Sequence, residues 1–125
     1  MDEQMEASEG RLGIVSIDPH VLVTIARLSA LGVSGVCRTS PRVPYRLRGV
    51  GTTGDGTRVL VEDDTVTVDL HIIADSSAAM LDVGRAVQAE VKRAIQEMVG
   101  MPVVAVNVRI EDVEFPCSSA WPSED

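Results

Sequence analysis

A chain of 125 residues with a net charge of −8 at neutral pH has the length of one domain and, as a whole, repels phosphate backbones. It has one Tyr, one Phe and one Trp, too few rings for the stacking platforms of single-strand binders, which contribute about 1–3 kcal/mol per base. No apolar run reaches the roughly 20 residues of a membrane-spanning helix, and the acidic N-terminus lacks the basic and apolar regions of a signal peptide, so the expected location is the cytoplasm.

Residues 1–10 hold Asp2, Glu3, Glu6 and Glu9 with no basic residue and are expected to form a disordered leader. The run Leu12 to Ile17 is expected to be a first strand. Asp18 before Pro19 marks a helix start, because a carboxylate caps free N–H groups and proline at the first helical position forfeits no needed donor. Val21, Leu22, Ile25, Ala26, Leu28 and Ser29 form its predicted buried stripe, and Gly32 is expected to end it in the left-handed conformation. Val33 to Arg38 fits a short strand. From Thr39 to Thr57, Pro41, Pro44 and four glycines leave no periodicity, and the segment reads as a long loop.

Val59 and Val61 resume alternation, Glu62 to Asp64 make a tight turn, and Val66, Val68, Leu70 and Ile72 alternate with Thr67, Asp69 and His71 in a long strand. Asp75, Ser76 and Ser77 offer caps for a second helix, with Asp82 as another start. That helix is expected to bury Val83, Val87, Val91, Ala94, Ile95 and Met98 and to stop at Gly100 and Pro102. A last strand places Val104, Val106, Val108 and Ile110 on one face, opposite Val103, Ala105, Asn107 and Arg109. Pro116 to Asp125, with Trp121, is expected to be a flexible tail. The long strand, the helix and the last strand form a crossover unit. The fold class is α+β: a single domain over 11–115, a two-layer sandwich whose mostly antiparallel sheet carries both helices on one face.

Cys37 and Cys117 lie far apart with no C-x-x-C pair and no histidine at ligand spacing, so they read as free thiols in a reducing compartment, with no metal or cofactor expected. Asp69 and His71 share a sheet face with Asn107 and Arg109. An acid beside an imidazole is the composition of a general-base pair, but with no nucleophile or oxyanion donor nearby the polar face of a sheet is the better reading, and that face is a candidate interface. His20 has no partner at helical spacing, and the turn Glu62 to Asp64 lacks the glycine and twelfth-position glutamate of a calcium loop. Gly51 to Gly54 has the G-x-x-G form of a nucleic-acid clamp, but that clamp joins two helices and this one leads into a strand. Arg38, Arg42, Arg46, Arg48 and Arg58 make the irregular segment basic within an acidic chain, which suits docking on an acidic protein surface or on anionic lipid headgroups. A small nucleic-acid-binding domain using this loop is the alternative to a protein-binding role, although the overall charge disfavours it.

The order and spacing of several apolar blocks resemble the alkaline shock protein family of envelope-stress proteins: Gly13, Val15, Ile17, Pro19, Val21, Leu22, Ile25 and Ala26; Gly35 and Val36; Val66 to Leu70; and Val87, Gln88, Val91, Met98, Val99 and Gly100 leading into Val103 to Val108. The resemblance covers Gly13 to Phe115. It implies a bacterial, cytoplasmic, non-enzymatic protein that self-associates as a homo-oligomer and serves cell-envelope homeostasis as a scaffold or adaptor, some members of the family being held at the membrane by a partner protein that carries the membrane spans.

Overall fold

Seven elements follow one another in the computed structural model, which describes residues 12–40, 52–54 and 56–117. They are α1 (Pro19–Leu31), β1 (Val36–Thr39), β2 (Thr52–Gly54), β3 (Thr57–Glu62), β4 (Thr65–Asp75), α2 (Met80–Met98) and β5 (Val103–Glu114). The expected crossover is present: β4, α2 and β5 form a parallel unit, while β1–β4, β2–β3 and β3–β4 pair antiparallel. Both helices pack on the face of the sheet defined by Val66, Val68, Leu70 and Ile72, and these four side chains are fully buried. This is the two-layer α+β sandwich that the alternating strands and amphipathic helices require.

Three strands hydrogen-bond to β4, which has only two edges. β5 runs along one edge from Val66 to Asp75. On the other, β3 pairs with residues 65–70 and β1 with residues 72–74, end to end. His71 is the junction: its N–H donates to the Gly56 carbonyl at 2.9 Å, and its own carbonyl accepts from the Ser40 N–H at 2.7 Å. The backbones of Gly56 and Ser40 are therefore crowded together, and a Cβ built on Gly56 would lie 1.9 Å from the Ser40 carbonyl oxygen. Gly56 also has φ +80°, a conformation that side chains with a Cβ rarely adopt.

Several expectations hold in detail. The Asp18 carboxylate accepts from the His20 N–H at 2.9 Å, with Pro19 opening the helix. The hairpin between β3 and β4 turns on Asp63 and Asp64, both at positive φ (50° and 69°), the geometry of a two-residue turn that matches strand twist. Gly100, at φ +87°, follows α2.

Other expectations are corrected. Leu12 to Ile17 forms no strand and joins no sheet; Leu12, Ile14 and Val15 are exposed. α1 is rotated by about one position, so that Leu22, Val23, Ala26 and Ala30 are buried and Val21 and Leu28 are exposed; packing against both α2 and the sheet selects this stripe over the predicted one. Gly32 is right-handed (φ −81°), and it is Gly35 that takes positive φ, at a place where a side chain would collide with Val83 on α2. α2 begins at Met80 with no side-chain cap: the Asp75 carboxylate instead accepts from the Ser77 N–H, and Asp82 falls in the first turn, where a negative charge suits the helix dipole. Met98 is exposed, and Met101, beyond the helix end, is the methionine buried in the core. In β5 the register slips between Val103 and Ala105, so Val103 points inward and Val104 is left 65% exposed. A bulge of this kind inverts the alternation on one side of it. Trp121 and the end of the expected tail lie outside the described residues, as do the leader and most of the long loop, of which Thr52–Gly54 forms β2.

Two substitutions test this packing. Gly56→Ala is expected to destabilise the domain by about 2 kcal/mol or more, from backbone strain plus the clash with Ser40, read as a lower midpoint in urea. Thr57 is fully buried and its hydroxyl has no hydrogen-bond partner among the described residues. Thr57→Val, nearly equal in shape, is therefore expected to stabilise by about 1 kcal/mol in the same measurement.

Candidate functional site on the outer face of the sheet

Because side chains alternate along β4, Thr67, Asp69, His71, Ile73 and Asp75 point away from the helices, onto the second face of the sheet. The parallel register sets Asp69 beside Asn107 and His71 beside Arg109, so the four predicted face residues are brought together. The antiparallel register adds Arg58 beside Asp69.

Two polar networks result. In the first, the Asp69 carboxylate binds the Arg58 guanidinium through one oxygen and accepts from Asn107 Nδ2 at 2.8 Å through the other. The Arg58 and Asp69 side chains are only 12% and 15% exposed, so this ion pair is largely withdrawn from water. In the second, His71 Nδ1 lies 2.7 Å from Glu111 Oε2, and Arg109 Nε lies 3.2 Å from the same oxygen. His71 is 6% exposed. The acid beside the imidazole is therefore Glu111 rather than Asp69. Sequence alternation missed it because a second irregularity in β5, between Ile110 and Asp112, inserts Glu111 as an extra residue.

Of the five arginines singled out in the sequence, two are described in the structure. Arg38 forms a two-point ion pair with Glu114, Nη1 donating to Oε1 at 3.0 Å and Nη2 binding the other oxygen, so β1 and β5 are linked across the outer face. Arg58 is held by Asp69. Arg42, Arg46 and Arg48 lie outside the described residues.

A third cluster had no signal in the sequence. Cys37 and Cys117 form a disulfide with Cα atoms 5.4 Å apart, so the expectation of free thiols is corrected. The physical reason lies in the sheet: β1 and the segment after β5 flank the two edges of β4 at the same end, and the chain after Glu114 passes the tip of β4 toward β1. Asp75, the last residue of β4, sits at that tip, where its Oδ2 accepts from the Cys117 N–H at 3.4 Å. Eighty positions separate the two cysteines in sequence, and no short-range pattern records such a pairing. The Asp75 carboxyl is held below its ordinary value of 3.8, first by the backbone N–H of Ser77 and then by the Ser77 side chain, with a lesser contribution from the Cys117 N–H.

Among the described residues, no helix is long and apolar enough to cross a membrane.

Breaking the part-buried ion pair should cost more than breaking an exposed one. Asp69→Ala is expected to destabilise by roughly 1–3 kcal/mol, because it removes the carboxylate that binds the Arg58 guanidinium away from water. Glu97→Ala, which removes an exposed contact to Arg93 on α2, is expected to change stability by less than about 0.5 kcal/mol in matched denaturation curves. The lowered Asp75 value also has a pH consequence. A carboxyl whose folded value lies below its unfolded one stabilises fully above the unfolded value, here 3.8, and loses that contribution as pH falls through the folded value. Asp75→Ala should therefore lose less stability than the parent chain as pH is lowered below 3.8, read from melting temperatures across an acid series.

The model of the alkaline shock protein family, described as having a cell envelope-related function, matches residues 7–115. The chain is 26% identical over 116 residues to the uncharacterized protein YqhY of Bacillus subtilis (strain 168), covering 90% of this chain and 85% of that protein. It is also 26% identical over 103 residues to the uncharacterized protein Spy1535 of Streptococcus pyogenes serotype M6 (strain ATCC BAA-946 / MGAS10394), covering 82% of this chain and 80% of that protein. No solved structure matches it.

Proposed function

The chain belongs to the alkaline shock protein family, whose function is cell envelope-related, and on that premise we propose that it is a non-enzymatic, self-associating scaffold or adaptor for the envelope. The observation that carries this reading is the edge of β5 away from β4. β5 is 12 residues long and, among the described residues, pairs with β4 alone. An open strand edge is a row of backbone donors and acceptors ready to pair with another chain. On this edge the Val106 carbonyl is already taken by Gln88 Nε2 of α2, at 3.0 Å. Val104, thrown outward by the bulge, supplies an exposed apolar side chain on the same strand.

The outer face adds a second element. Asp69, Asn107, Arg109 and Glu111 lie on it, and a two-fold pairing of such a face sets residues of both charges against their counterparts in a second copy. The reading keeps the chain in the cytoplasm and docks it to the envelope through a partner protein that carries membrane spans, as the family resemblance implies for some members. A nucleic-acid role is less well supported, because the net charge is −8 and Arg38 and Arg58 are committed to carboxylates of the same chain.

Light scattering at low and moderate salt tests this reading. A dimer or larger species is expected, and Val104→Lys is expected to shift it toward monomer while leaving the far-UV circular dichroism of the folded chain unchanged, since a lysine on an edge strand discourages pairing. A monomer at every concentration and salt would overturn the proposal.

A further inference from the structure

We propose that Cys37, Cys117 and Asp75 form a redox-gated metal site, closed as a disulfide under oxidising conditions and opened by reduction to take one zinc-class divalent ion. Three observations meet there. One ligand atom from each residue lies within 4.8 Å of the other two. The three residues come from separate parts of the chain: β1, the end of β4 and the segment after β5. They are therefore brought together by the sheet and not by local sequence. The carboxylate is also already aimed, with Oδ1 accepting from the Ser77 N–H at 2.9 Å and Oδ2 from the Cys117 N–H. Each oxygen retains a lone pair for a metal. All three residues are half-buried, so the site is enclosed yet reachable.

The chemistry balances in two steps. In thiol–disulfide exchange the Sγ–Sγ bond breaks, two thiols of a reductant are oxidised to one disulfide, and Cys37 and Cys117 gain one proton each. Binding of a divalent ion to the two sulfurs then releases both protons, and Asp75 supplies the third ligand. Without the metal, a fully ionised reduced site would hold three negative charges within 4.8 Å of one another, a repulsion that a divalent cation cancels. Two thiolates and one carboxylate select a borderline-soft tetrahedral ion such as zinc over magnesium or calcium, and water completes the fourth position. Tetrahedral zinc places two sulfurs about 3.8 Å apart at its usual bond length. Side-chain rotation therefore opens the disulfide to that span without moving β1 from β4.

The consequence is a clip that works in either redox state. The disulfide holds the segment after β5 to β1 when oxidised, and the metal holds it when reduced. Neither the fold nor the scaffold reading depends on this.

Cobalt(II), a spectroscopic stand-in for zinc, tests the site on the full chain. The protein is reduced with a phosphine, which takes up oxygen from water as it reduces the disulfide, and then titrated. One equivalent is expected to bind with thiolate-to-cobalt charge-transfer absorption and tetrahedral d–d bands, and zinc is expected to displace it. The oxidised chain is expected to bind none. Cys117→Ser should abolish the charge transfer of a two-thiolate site, and Asp75→Asn, which keeps an oxygen for the Ser77 turn, should weaken binding about tenfold or more. The melting temperature of the reduced chain should rise with added zinc, as ligand linkage requires, and that of reduced Asp75→Asn should rise less. The proposal is overturned if the reduced parent chain binds no cobalt, if the oxidised chain binds it equally, or if Asp75→Asn binds as tightly as the parent. The first two comparisons need no variant, so they stand whether or not a variant folds.

Discussion

The structure depends on how His71 uses its backbone. Its N–H and its carbonyl face the same edge of β4, where one binds Gly56 and the other binds Ser40. Two strands that could each have claimed an edge are thereby placed end to end on one of them. The opposite edge is free for β5 along its whole length, and a parallel crossover becomes compatible with an otherwise antiparallel sheet. The junction exists only because Gly56 has no Cβ. The Ser40 carbonyl occupies the space a side chain would need, and the positive φ of Gly56 would strain almost any replacement.

With the edges assigned in this way, the outer face follows. Asp69 lies between Arg58 on one side and Asn107 on the other, because β3 and β5 flank it. His71 meets Glu111, and Arg38 reaches across β4 to Glu114. Among the described residues, Arg38, Arg58, Arg93 and Arg109 thus all pair with carboxylates of the same chain. Burial makes the Arg58–Asp69 pair matter more than the exposed contacts of Arg93 along α2, where solvent screens the charges. The same crossing of β4 at its far end places Asp75 between the two segments that carry the cysteines.

The family's envelope-related function and an edge of β5 left unpaired among the described residues both agree with the assembly proposed above. The assembly we propose would need a surface that tolerates water alone and also pairs with its own kind. A long edge strand with one exposed valine and one carbonyl capped by Gln88 has that mixed character. The bulges in β5 serve two ends: one turns Val104 outward, and the other delivers Glu111 to His71.

Much of the architecture was legible in the sequence. Alternation from Val66 to Ile72, the helical spacing of Val83, Val87, Val91 and Ile95, and the Asp18–Pro19 start each depend on near neighbours in the chain. Their periods report which face is buried, whatever the partner. The shared face of Asp69, His71, Asn107 and Arg109 was legible for the same reason. What required the tertiary structure was every relation set by register or by a break in register. Val104 and Glu111 change roles at bulges, α1 turns by one position to fit both α2 and the sheet, and the apolar run Leu12 to Ile17 joins no strand of the sheet. The union of Cys37 with Cys117 is the extreme case, since strand order alone determines that the two ends of an 80-residue separation meet at the tip of β4. Local sequence carries the propensity and the face of each element; only the folded sheet decides which edges are paired, and with them which distant side chains can react with one another.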